Sequence, residues 1–337
     1  MPNLVARARA LADDVLFPAA AEVDLTGEVP RSHFDVLAEA GLYGLVAPTS
    51  AGGSGAGLPE LVAVIETLAG GCLSTTFTWI QHHGLVAALA GSSNAALRTE
   101  YLADLVKGTV RAAVAYGGAL PTPPRTRAVR VPGGFRFSGD APFVSGWGTT
   151  DVLMLSGQTP EDTVVSTVVA PAAAPGLTAT PLQLVAAQAT ATVRLDFDDF
   201  FVPAERVLSE TPHADFVTGR TFAVRLSGCA PLGVAERCAR LLSDLGHPAT
   251  AAALRAEQAQ IRIRLDSGLT DPPSLPAARA AAAELCYRSA GALVAAAGSR
   301  AVLAGEHAGR LVREATFLLV AASRPEIRDG LLSLARR

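Results

Sequence analysis

The chain has 337 residues, 50% of them hydrophobic, and a formal net charge of -3. A length of this order accommodates about two domains, and the slightly acidic balance excludes the concentrated basic face by which proteins hold nucleic acid. No run of about 18 apolar residues escapes a charge, a glycine or a proline, so no membrane-spanning helix is expected.

Of the 28 lysines and arginines only Lys107 is a lysine. The four cysteines, Cys72, Cys229, Cys238 and Cys286, form no C-x-x-C pair and read as reduced, buried thiols of a cytosolic protein. Asp13 and Asp14 interrupt the apolar run behind Arg7 and Arg9, so no signal peptide is visible and a cytoplasmic location is expected.

Residues 1–108 read as a helical domain. Leu4, Ala8, Leu11, Ala12 and Val15 recur at helix spacing, as do Phe34, Leu37, Ala38 and Leu42 behind Ser32 as a cap, with Gly41 or Gly44 ending that helix. The stretch Gly52 to Gly57 misses the G-x-G-x-x-G spacing of a dinucleotide loop and reads as a flexible connector into a third helix opened by Leu58-Pro59-Glu60. A fourth helix covers Thr75 to Ala90 and carries His82 and His83. Adjacent helical residues point about 100° apart, so at most one of the two faces a given pocket. Both read as core or interface histidines, with a base in a pocket as the alternative.

Residues 109–210 change pattern and read as a β-domain. Val110, Ala112 and Val114 alternate, Phe135 and Phe137 follow the turn Pro132-Gly133-Gly134, and Val152–Leu155, Val164–Val169 and Thr192–Phe197 are short β-branched runs. Several such strands without intervening helices point to an antiparallel barrel or sandwich. Residues 211–337 return to helix in four runs, 222–245, 247–267, 276–297 and 305–322, expected to form an antiparallel four-helix bundle whose alanine-rich faces promote oligomerisation. The fold class is thus α+β, mostly α. No metal-ligand spacing occurs among the His, Cys and carboxylate residues.

Three motifs carry a resemblance to the acyl-CoA dehydrogenase family. Arg313 to Arg328 (REATFLLVAASRPEIR) is similar to that family's closing helix, R-D-A-R-V-x-x-I-Y-E-G-T-S-E-I-Q. Phe197 to Leu208 resembles its F-x-x-V-x-V-P-x-x-N-x-L exit from the β-domain, and Gly41 to Gly55 its G-x-x-G-x-x-x-P-x-x-x-G-G-x-G. The resemblance implies an N-terminal helical domain, a central β-barrel and a C-terminal four-helix bundle around FAD, acting on an acyl-CoA or acyl-carrier thioester. An electron-transfer partner or a paired family subunit, and a homo- or hetero-oligomer, are implied with it.

Onto this chain the resemblance carries six cofactor-binding candidates. Tyr116 and Gly117 fall where a flavin-lining loop is expected, and Phe143, Ser145 and Gly146 where an aromatic and a hydroxyl flank the flavin; Arg300 is the candidate for the flavin pyrophosphate. Ser145 also reads as a plain turn serine, and the 112–118 strand as one that only closes the barrel. The family's two alternative positions for the catalytic glutamate fall on Ala322 and on Ala223, eight residues before Pro231-Leu232-Gly233. No base is therefore assigned, and Glu314 and Glu326 read as ion-pairing residues. The activity implied is a flavin-dependent oxidoreductase, with a non-catalytic or half-site subunit, or a flavin monooxygenase of the same fold, as alternatives.

Overall fold

The computed structural model of the chain describes residues 3–171, 174–322 and 324–336. Six helices come first: α1 (Leu4–Leu11), running through a π-turn at Ala12–Leu16 into α2 (Phe17–Thr26), then α3 (Arg31–Glu39), α4 (Leu58–Gly71), α5 (Leu73–Gly91) and α6 (Ala95–Lys107). Helix α3 starts one residue ahead of Ser32, behind Pro30, and ends before Gly41, whose φ of 74° is left-handed. Helix α6, not among the helices expected from the sequence, buries Leu97, Leu105 and Val106. Its N-cap is Asn94, whose side chain accepts from the Leu97 amide while its NH2 donates to the carbonyls of Glu205 and Val207. One residue thereby caps a helix and ties it to the sheet.

The stretch at Gly52–Gly57 is a tightly bonded turn. Ser54 N, Gly55 N and Ala56 N donate to the carbonyls of Gly44, Ala47 and Leu45, and a Cβ on Gly53 would lie 2.3 Å from the Ala47 carbonyl oxygen.

Eight strands follow: β1 (Ala112–Ala115), β2 (Thr126–Val131), β3 (Gly134–Val144), β4 (Val152–Gln158), β5 (Thr163–Val169), β6 (Leu177–Pro181), β7 (Val193–Pro203) and β8 (Val207–Pro212). They form one sheet in the order β6-β7-β3-β2-β4-β5-β8, with β1 beside β4. Most neighbours are antiparallel, as the closely spaced strands lead one to expect, but β1 runs parallel to β4 and β2 meets β4 in parallel at Arg127 and Gln158. Every residue of β4 is buried, consistent with a strand covered on both faces; helix α5 packs on β1 beside it.

The remaining helices are α7 (His213–Thr218), α8 (Thr221–Ser227), α9 (Cys229–Asp244), α10 (Pro248–Ser267), α11 (Leu275–Ala297), α12 (His307–Val320) and α13 (Pro325–Leu334). Two runs that read as continuous helices are broken. The first divides at Gly228, where Pro231 lacks the N–H that would bond the Ser227 carbonyl. The second stops at Val320, because Pro325 holds Arg324 extended (φ −110°, ψ 164°), leaving Ala322 in a connecting turn with φ 52°. Helices α9 and α4 cross closely: a Cβ on Gly233 would lie 2.1 Å from the Glu66 carbonyl oxygen, so the glycine of Pro231-Leu232-Gly233 is required by packing. Among the described residues no helix is long and apolar enough to cross a membrane.

Candidate active site

The sheet end that carries β1 and the β3–β4 turn is anchored by His82. This buried histidine on α5 donates from Nε2 to the Leu105 carbonyl and accepts at Nδ1 from the Ala112 amide, at 3.1 Å each. With one nitrogen donating and the other accepting, the ring is neutral, and burial pulls its pKa well below the ordinary histidine range. It therefore fixes β1 against α5 and α6 and is not open as a base. Beside it, His83 is buried against the edge of Trp79, with ring centroids 4.6 Å apart, and burial draws its pKa down to about 3.

Both histidines are neutral in the fold and protonate in the unfolded chain below about 6.5. Their contribution to stability is complete above that value and is lost as pH falls from about 6.5 towards the folded pKa, about 3 for His83. The urea midpoint is accordingly expected to fall between pH 7 and pH 5, and His83→Phe to flatten that slope; a variant with the wild-type slope would show that His83 does not carry it.

Two groups of the sequence candidates, five residues in all, come together here. Tyr116 and Gly117 follow β1, and a Cβ on Gly117 would approach the Pro142 carbonyl at 3.7 Å, which places this turn beside the end of β3, where Phe143 is followed by Ser145 and Gly146. Phe143 has φ 55° and is 68% exposed, an aromatic ring held outward by an unfavourable backbone. Gly146, at φ 89°, brings its backbone against Thr78 of α5, and its amide donates to the Thr190 carbonyl at 2.8 Å.

Ser145 is buried, and its hydroxyl lies 2.8 Å from that of Thr192, which lies 2.8 Å from that of Thr190. Thr190 donates to the Ala187 carbonyl, so proton counting sets one direction along the chain: Ser145 to Thr192, Thr192 to Thr190, Thr190 to Ala187. The Ser145 proton is committed, and its oxygen is open only as an acceptor. The sequence left both directions available.

Arg300 does not join this group. It lies in the turn Gly298–Val302 between α11 and α12 and pairs with Glu306 at 2.9 Å. Glu314 is ion-paired, as its sequence context suggested: it is buried with Arg310 at 2.5 Å. Ala223 and Ala322 are both exposed.

Arg279, which the sequence analysis missed, links the segments that carry those two alanines. This fully buried residue of α11 donates from Nε to Ser227 Oγ, at the end of α8, and from Nη2 to the carbonyls of Leu318 and Ala321. A cation at the open C-terminus of α12 satisfies its orphan carbonyls and opposes its dipole, although burial lowers the arginine's own pKa to about 10. Close by, the Arg220 guanidinium carbon sits 3.5 Å above the centre of the Tyr116 ring. Arg324, half-buried two residues beyond Ala322, has its pKa lowered by burial and then by the charge of Arg220. Ser323, between them, lies outside the described residues.

The chain thus joins an aromatic, glycine-bearing sheet end to a helix-bundle turn. Residues 3–109 match the acyl-CoA dehydrogenase N-terminal domain, and the chain has the fold of solved acyl-CoA dehydrogenases. A 3-sulfinopropanoyl-CoA desulfinase of Variovorax paradoxus is 29% identical over 48% of this chain and 42% of its own length; the match spans less than half of that relative. The mitochondrial isovaleryl-CoA dehydrogenase of Arabidopsis thaliana is 22% identical over 94% of this chain and 86% of its own. Among solved structures, a glutaryl-coenzyme A dehydrogenase in complex with glutaryl-CoA matches with a TM-score of 0.86 at 18% identity, covering 99% of this chain and 94% of that one.

Proposed function

We propose that the chain is a flavin-dependent oxidoreductase acting on an acyl thioester or a related small molecule, with FAD at the end of β1 and β3 and without the glutamate base. The observation that carries this reading is the convergence of Tyr116, Gly117, Phe143 and Gly146 at one sheet end. Exposed Phe143 offers a flat apolar surface to a planar ring, the two glycines allow close backbone approach, and Ser145 offers an acceptor. Thr78, against which Gly146 packs, has a buried Oγ1 without a hydrogen-bond partner among the described residues, a condition that proteins rarely tolerate outside binding sites. These residues suit the ring system of a flavin, which supplies two-electron redox chemistry when bound. Alanine at 322 and 223 withholds the carboxylate that proton abstraction beside a thioester carbonyl requires.

A second reading, a half-site subunit of a larger assembly, is favoured by Arg300. Its pairing with Glu306 away from the sheet end leaves phosphate contacts to come from other groups or from another chain. The half-exposed Ile263 and Tyr287 on α10 and α11 suit oligomer contacts of either kind.

Titration of the purified chain with FAD, followed by flavin fluorescence, is expected to saturate and to give a yellow protein. Phe143→Ala is expected to weaken binding about tenfold through lost ring contact. A colourless chain that takes up no FAD would overturn the oxidoreductase reading and favour the subunit.

A further inference from the structure

A groove of about 580 Å3 lies between α1, α4, α9 and α10 and takes no part in the sheet-end site. Its volume falls in the range of small-molecule sites. Its floor is the crossing of α4 and α9, where a Cβ on Gly70 would lie 2.9 Å from the Gly233 carbonyl oxygen. Arg237 ties the crossing by donating from Nε to the Gly70 carbonyl at 2.6 Å, so the floor has a fixed shape. Val5 of α1 and Leu58, Val62 and Ala63 of α4 give the groove an apolar side. The rest is charged: six arginines and four carboxylates line it, an excess of two positive charges in a chain whose net charge is -3.

The excess has a definite place. Arg262 is neutralised by Glu66 and Arg225 by Asp266, each pair at 2.6 Å. The other two carboxylates are shared by three arginines. Asp13 holds Arg237 and, at 3.2 Å, Arg240, while Glu236 holds Arg240 at 3.3 Å and Arg255 at 3.0 Å. One positive charge in this ladder is therefore left over. Arg9 supplies the second: it is exposed on α1, and among the described residues no carboxylate lies at ion-pair distance from it. A guanidinium carries five N–H donors, and the carboxylates here take only some of those on Arg240 and Arg255. The remaining donors match the oxygens of a carboxylate or phosphate.

We propose that this groove binds a small organic anion, its oxyanion held by Arg9, Arg240 and Arg255 and its apolar part packed against Val62 and Ala63. Carboxylates, sulfonates and phosphates share the required chemistry. The site has no residue in common with the sheet end and stands whether or not FAD binds there.

The test titrates the full chain with anilinonaphthalene sulfonate, an aromatic sulfonate, and with its uncharged relative phenylnaphthylamine, each followed by fluorescence. The sulfonate is expected to bind saturably and about tenfold or more tightly than the amine, the range of a hydrogen bond to a charged group. Arg9→Gln and Arg255→Gln are each expected to weaken sulfonate binding about two- to fivefold, the range of an exposed ion pair, and to leave amine binding unchanged. Arg9 has no ion pair to lose, so its variant keeps the fold. Ala63→Phe fills the apolar side without touching a charge and is expected to weaken both probes. Inorganic phosphate and acetate then compete with the sulfonate: displacement by phosphate at the lower concentration assigns a phosphorylated ligand, and by acetate a carboxylate. Displacement by neither overturns the anion site. Equal binding of the two probes, no saturable binding, or sulfonate binding that all three variants leave unchanged overturns it as well.

Discussion

Ala322→Glu is expected to raise the exchange of the α-hydrogens of butyryl-CoA with D2O by at least about 100-fold, the lower range for a positioned general base. Arg279 fixes the carbonyls of Leu318 and Ala321, the side chain at 322 is exposed, and replacing one L-residue by another at φ 52° adds no new backbone penalty. Deuterium uptake is read by mass spectrometry of the recovered thioester. Exchange no faster than the wild type, in a variant that still binds the thioester, would show that the alanine is not what withholds proton abstraction.

Arg279→Met is expected to lower unfolding free energy on the order of 3 kcal/mol, because it removes the donor that bonds the end carbonyls of α12 and the Ser227 hydroxyl. Methionine fills much of the volume, so the loss reflects the polar contacts more than a cavity. Urea denaturation followed by circular dichroism measures it. A change within about 0.5 kcal/mol, the range of an ordinary surface substitution, would mean that water replaces the guanidinium and that the turn at Ala322 is held by other contacts.

The helical and β-rich zones were legible because their periodicities differ: Leu4, Ala8, Leu11 and Ala12 follow a helical period, whereas Phe135 and Phe137 alternate. The parallel placement of β1 was not, since Ala112–Ala115 pairs with a strand about 40 residues later through contacts that local pattern does not encode. The break between α12 and α13 is visible in retrospect in Pro325, but the surrounding motif reads as continuous helix. At the site, the proximity of Tyr116 to Phe143 was legible only through the family resemblance. The positions of Arg220 and Arg279 were not legible at all, because an arginine's role depends on which helix end or ring it meets, and both partners here are distant in sequence. Ser145 illustrates the same limit: the hydroxyl is evident from sequence, whereas the direction of its hydrogen bond follows from Thr192, Thr190 and Ala187 together.

On the proposed reading, the chain takes FAD at the sheet end of β1 and β3 and lacks the base that starts α,β-dehydrogenation. Anaerobic mixing of the FAD-loaded wild type with butyryl-CoA, with the flavin's visible absorption followed in time, tests it most directly. A shift of the flavin spectrum as the thioester binds, with no bleaching, is expected; rapid bleaching of the wild-type flavin by butyryl-CoA would overturn that reading.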